Sequence, residues 1–163
     1  MYKERKRKLE QKLLKLLREI DPANTVFIDT SFLIYHLEDI KPYSDITSEV
    51  MNNAGSKNSK IFLSTISFTE VLVGILRQNN PASQNTFKDL FYNNPFINII
   101  DFKLEFSETA AQIRLDTNLG LADSIIIATA VKTKSRFLIT NDTDFLKAKK
   151  LGPAIIILDN ILG

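Results

Sequence analysis

"TVFIDTSFLIYHL", residues 25–37, opens on a β-branched and aromatic run and places one carboxylate, Asp29, before Thr30, Ser31 and a second apolar segment. The run 25–29 predicts a short buried strand, and 31–39 predicts the helix that follows it. Asp29 then stands at the end of a strand. Two roles fit that place equally: N-cap of the next helix, or first member of a charged site.

The same strand-then-helix unit recurs along the chain. Strands are predicted at 60–64, 96–100, 136–140 and 154–158. Helices are predicted at 43–54, closed by Gly55, and at 66–78, 81–93, 103–117 and 121–133, with a short one at 144–150. There are no internal repeats and no low-complexity segments. Alternation of this kind implies a parallel sheet with helices on both faces. Ligands of such sheets bind beyond the carboxyl ends of the strands.

Residues 3–20 precede the first strand and predict an amphipathic helix, with Leu9, Leu13, Leu16, Leu17 and Ile20 near one face. Asp21-Pro22 ends it, because the residue before a proline is pushed out of helical geometry. Residues 1–20 hold eight Lys/Arg and three Glu, whereas the rest of the chain holds 13 Lys/Arg and 16 Asp/Glu. A mildly acidic body thus carries a basic extension. The expected division is an extension over 1–24 and a single domain over 25–163.

Composition excludes several chemistries. The chain of 163 residues has no Cys, which removes disulfides, thiolate metal sites and Cys nucleophiles. His36 is its single histidine, so a metal would have to be held by oxygen. No apolar run approaches the roughly 20 residues of a membrane span, and the basic start is not followed by a secretory core. A cytoplasmic protein is expected.

Four acids stand in apolar or strand-end surroundings: Asp29; Glu70, the single charge in ISFTEVLVGIL; Asp123, at the head of LADSIIIATAV; and Asp142, just after RFLIT. Asp29, Asp123 and Asp142 each read as well as caps. Glu70 is a poor cap and has no Lys or Arg within a helical turn, leaving a distant salt bridge as its ordinary explanation. Taken together, the parallel topology brings all four to one edge of the sheet. Two carboxylates about 4 Å apart repel by roughly 4 kcal/mol at an effective dielectric of 20. Protons or cations must relieve that repulsion, and an all-oxygen ligand set points to one or two ions of Mg²⁺ or Mn²⁺.

VFIDTSFLIYHL, LSTISFTEVLVGIL, LGLADSIIIATAV and RFLITNDTDF resemble, in order and spacing, the four motifs of PIN-domain ribonucleases, most of all the VapC-type toxins of toxin–antitoxin pairs. The resemblance covers about 25–158. It implies a three-layer α/β/α sandwich around a central parallel sheet, here preceded by the N-terminal amphipathic helix. It further implies Mg²⁺- or Mn²⁺-dependent endonucleolytic hydrolysis of single-stranded RNA, an antitoxin partner and a homodimer.

Residue by residue, Asp29, Glu70 and Asp123 match the three core acids and Asp142 the fourth, so all four are expected to hold the metal and serve catalysis. Thr30, Ser31 and Thr140 match the small hydroxyl residues lining the site, and Asp144 is a supporting candidate that equally reads as a cap. The basic segment ahead of the first Asp departs from the toxin pattern.

Three alternatives stand beside this reading. One is a housekeeping RNA-processing nuclease, and another is a non-catalytic RNA-binding protein of the same fold. The third, a haloacid-dehalogenase-like phosphatase, would need an acid where Ser31 stands. His36 reads as a packed or surface histidine and Asp116 as a solvated helix-end acid. Phosphate contacts are expected from the N-terminal segment and from Lys147–Lys150.

Overall fold

A computed structural model describes residues 2–162, with the side chains of 2–6, 8 and 9 outside the description. Leu9 of the expected apolar face therefore lies outside it. Five short strands form one sheet: β1 (Val26–Ile28), β2 (Ile61–Ser64), β3 (Ile97–Ile100), β4 (Phe137–Thr140) and β5 (Ala154–Ile157). All pairings are parallel, in the order β3-β2-β1-β4-β5. The chain leaves β1 in one direction for β2 and β3 and resumes on its other side with β4 and β5. The switch point of the sheet is therefore the β1–β4 seam.

The three residues of β1 are fully buried on both faces, which explains the continuous apolar run rather than an alternating one. Val26 and Ile28 face one layer and Phe27 the other. The first layer holds α1 (Tyr2–Glu19), α2 (Thr30–Leu37), α3 (Tyr43–Ser56), α4 (Thr65–Gln78), α5 (Pro81–Tyr92) and α8 (Leu158–Leu162). The second holds α6 (Leu104–Thr117), α7 (Leu121–Lys132) and a 3-10 helix at Thr143–Ala148. This is the three-layer sandwich expected from the sequence.

Three local expectations are corrected. Helix α3 runs through Gly55 instead of stopping before it; a Cβ there would meet the Phe96 ring at 3.3 Å, so the glycine admits that ring. The short segment after Asp142 is a 3-10 helix rather than an α-helix. Strand β5 ends at Ile157, and Leu158 begins α8, which the apolar run had concealed.

Helix α1 is part of the body over its second half. Leu16 and Ile20 are buried in the larger core, with Leu13 and Leu17 packed against it. Lys57 Nζ donates to the carbonyls of Leu17 and Ile20 at 2.6 and 2.9 Å, and Asn53 Nδ2 also donates to Leu17 at 3.0 Å. These groups satisfy carbonyls that a helix end leaves without partners. Among the described residues no helix is long and apolar enough to cross a membrane. Replacing Lys57 by Met should lower the unfolding free energy by about 1–2 kcal/mol, read from urea titration, because it removes charge-assisted bonds to buried carbonyls.

Candidate active site

Asp29 sits at the carboxyl end of β1, where its own N–H donates to the Ile139 carbonyl at 3.0 Å and prolongs the β1–β4 ladder by one residue. It occupies the N-cap position of α2, yet its side chain makes no capping hydrogen bond. Instead, Asp29 Oδ2 accepts from Thr140 Oγ1 at 2.8 Å and from Ser31 Oγ at 3.1 Å. The residue is only 5% exposed. Burial pushes its carboxyl above the ordinary aspartate range, opposed by the hydroxyls of Thr140 and Ser31.

The two hydroxyls are themselves held by the chain that leaves β4. Thr140 Oγ1 accepts from the Asp142 N–H at 3.0 Å, and Ser31 Oγ accepts from the Asn141 N–H at 3.0 Å. Each hydroxyl accepts from one loop N–H and donates to Asp29. Thr140 and Ser31 thus fix the Asp29 carboxylate between β4 and α2.

Glu70 lies in the second turn of α4 and is exposed despite its apolar flanks. Its Oε2 accepts from Thr30 Oγ1 at 2.5 Å, which ties α4 to the first turn of α2. No Lys or Arg pairs with it among the described residues.

Asp123 is the third residue of α7, whose cap is Gly120, so the capping alternative does not hold for it. A Cβ at Gly120 would lie 3.0 Å from Asp123 Oδ2, and the glycine leaves that carboxylate room over the helix start. Asp123 is raised above the ordinary range, first by burial and then by the charges of Asp29, Asp142, Glu70 and Asp144. Acids from β1, α4, α7 and the loop after β4 therefore share one electrostatic neighbourhood.

Asp142 does cap: its Oδ1 accepts from the Asp144 N–H at 2.8 Å at the start of the 3-10 helix. Asp144 caps nothing, and its carboxylate pairs with Lys147 at 2.9 Å. His36 is half-buried, with Nδ1 3.2 Å from Thr47 Oγ1, and burial pushes it down. Asp116 is exposed and accepts from Gln112 at 2.7 Å.

Asn141 was not singled out by the sequence. Besides holding Ser31, its Nδ2 donates to Tyr35 Oη at 3.1 Å, and its Oδ1 accepts from the Asp159 N–H at 2.9 Å. The one signal was an amide directly after a strand between two site residues.

The donor chemistry suits a hard divalent cation: only oxygen ligands, one anchored by hydroxyls and one raised by burial and by its neighbours' charges. Among the described residues, however, no group of three or more acids already stands in a ligating arrangement.

The PIN domain family model matches residues 26–151. The chain belongs to the PIN domain family. No curated protein matches it by sequence. Among solved structures, this PIN domain is similar to a toxin–antitoxin complex from Klebsiella pneumoniae, at 23% identity and TM-score 0.63, covering 82% of this chain and 98% of the other. FitAB bound to a DNA fragment gives 20% identity and TM-score 0.63, with coverage of 82% and 95%. VapC20 of Mycobacterium tuberculosis, described as a sarcin–ricin-loop-cleaving toxin, gives 15% identity and TM-score 0.62, with coverage of 76% and 95%. At these identities the likeness is one of fold.

Because folded Asp29 and Asp123 bind their protons more tightly than ordinary aspartates, their contribution to stability is complete below the ordinary carboxylate pKa and is lost as pH rises through their folded values. Asp123→Asn should therefore melt above the wild type at neutral pH without divalent ions. The gap should close as pH falls toward about 4. Melting curves across that range check this; a constant gap would remove the charge explanation.

Proposed function

We propose that this protein is a divalent-metal-dependent endoribonuclease that hydrolyses phosphodiester bonds in single-stranded RNA, as the toxin of a toxin–antitoxin pair. One observation carries the reading: Asp29, Glu70, Asp123 and Asp142, from four separate elements, gather at the strand ends beside the switch point, where Asp123 feels all the others. Uncompensated, such a cluster only costs stability; with a cation it becomes a phosphoester site.

Mg²⁺ or Mn²⁺, as one ion or two, would supply charge neutralisation and Lewis acidity toward the scissile phosphate. Asp29, Glu70, Asp123 and Asp142 are the residues to hold it. Thr140 and Ser31 keep the Asp29 carboxylate in one orientation, and Thr30 does the same for Glu70. Asp144 supports the site through its backbone, donating its N–H to Asp142.

Residues 25–163 form the nuclease unit in this proposal and 1–24 an extension of it, acting in the cytoplasm, where the RNA is. The toxin role rests on one similar structure being described as a toxin–antitoxin complex and another as a cleaving toxin. The same likeness supports an antitoxin partner for this chain. A homodimer is also proposed: Val73 and Leu76 are exposed on α4, and Gly74 between them has open space above it for a close approach.

Incubation with total cellular RNA and Mg²⁺ or Mn²⁺, with the ends mapped, tests the activity. Asp29→Asn, Glu70→Gln and Asp123→Asn should each reduce cleavage by about 100-fold or more, and Asp142→Asn by about tenfold. Chelation should abolish it. Undiminished cleavage by Asp29→Asn would sink the assignment.

A further inference from the structure

We infer that the first half of α1 is an RNA-binding arm that projects past the acidic edge of the sheet and grips the phosphate backbone of the substrate. The inference rests on the ribonuclease reading above. Three observations point to it.

The first is direction. The end of α1 is pinned where Lys57 holds the Leu17 and Ile20 carbonyls, just ahead of β2 and hence at the edge where strands begin. Lys12 Nζ donates to the Asn160 carbonyl at 2.7 Å, in α8, which follows β5 and lies at the edge where strands end. Helix α1 therefore runs antiparallel to the strands and reaches the acidic edge at Lys12. Residues 2–11 continue beyond that point for about 15 Å, at 1.5 Å per residue.

The second is composition. Leu13, Leu16, Leu17 and Ile20, spaced to share one helix face, dock the second half. Residues 2–11 offer only Tyr2 and Leu9 as apolar side chains, and their charged residues are Lys3, Arg5, Lys6, Arg7 and Lys8 against Glu4 and Glu10. Arg7, Glu10 and Gln11 are exposed.

The third is electrostatic need. A cluster of carboxylates repels a polyanion, so affinity for RNA has to come from cations outside the cluster but on its side of the sheet. Lys147 stands at this edge but is already paired with Asp144, and only Lys149 and Lys150 follow it in the chain. The projecting half of α1 holds the densest set of cations in the chain. An anionic membrane would instead call for a continuous apolar face, which Tyr2 and Leu9 do not make.

The test is the full chain carrying Lys3→Gln, Arg5→Gln, Lys6→Gln, Arg7→Gln and Lys8→Gln together, with an Arg5→Gln/Arg7→Gln variant beside it. Binding of a fluorescent single-stranded RNA oligonucleotide is measured in EDTA from about 50 to 200 mM salt, so that no cleavage intervenes. The fivefold variant should bind about tenfold more weakly at the lowest salt, and its log–log salt slope should flatten by roughly 0.7 for each phosphate it no longer neutralises. The double variant should fall between, and both should melt with the wild type.

If the fivefold variant keeps the wild-type affinity and slope, the arm is excluded, while cleavage dependent on Asp29 would leave the nuclease reading intact. Wild-type protein that neither binds nor cuts RNA would overturn both. Binding to phosphatidylserine vesicles in place of RNA would overturn the arm's assignment to RNA.

Discussion

Thr140 Oγ1 reaches the buried Asp29 carboxylate across the β1–β4 seam, joining residues 111 positions apart in the chain. A carboxylate taken out of water is costly unless its oxygens are hydrogen-bonded, and the seam is where two hydroxyls can be delivered to this one. Both hydroxyls are oriented by N–H groups of the same loop, at Asn141 and Asp142. The direction of the chain after β4 thus sets Asp29 and Asp142 together. Asn141 extends the arrangement to Tyr35 and Asp159, so the loop is braced from α2 and α8 as well.

The remaining acids arrive from different elements, and each is admitted by one small local device. Thr30 latches Glu70, and the absence of a side chain at Gly120 leaves space for Asp123. The result is a set of like charges that raises Asp123 and works against folding at neutral pH. The apolar cores on both faces of the sheet supply the stability that offsets such a site.

The family match begins at residue 26 and ends at 151, leaving out α1, β5 and α8. These two helices meet each other: Leu16 and Ile161 share the larger core, and Lys12 bonds the Asn160 carbonyl. The basic extension is therefore split by its own sequence into a half with an apolar stripe, which docks, and a half without one. That division answers how a strongly basic segment coexists with a body whose functional edge is acidic.

The alternation of strand and helix and the parallel sheet with helices on both faces were legible in the chain, and the four acids could be marked as candidates, because burial periodicity and strand-end placement are properties of short windows. Thr30, Ser31 and Thr140 could likewise be marked as residues beside the site. Only the folded protein reveals that Glu70 is exposed and latched to Thr30, and that Asp142 caps while Asp29 and Asp123 do not. The continuation of α3 through Gly55 needed the Phe96 ring, and α8 was hidden in an apolar run that suits either strand or helix. The role of Asn141 was not legible beyond its place between two candidate residues. Its partners Ser31, Tyr35 and Asp159 come from distant stretches, and hydrogen bonds between such residues leave no periodic trace in the chain.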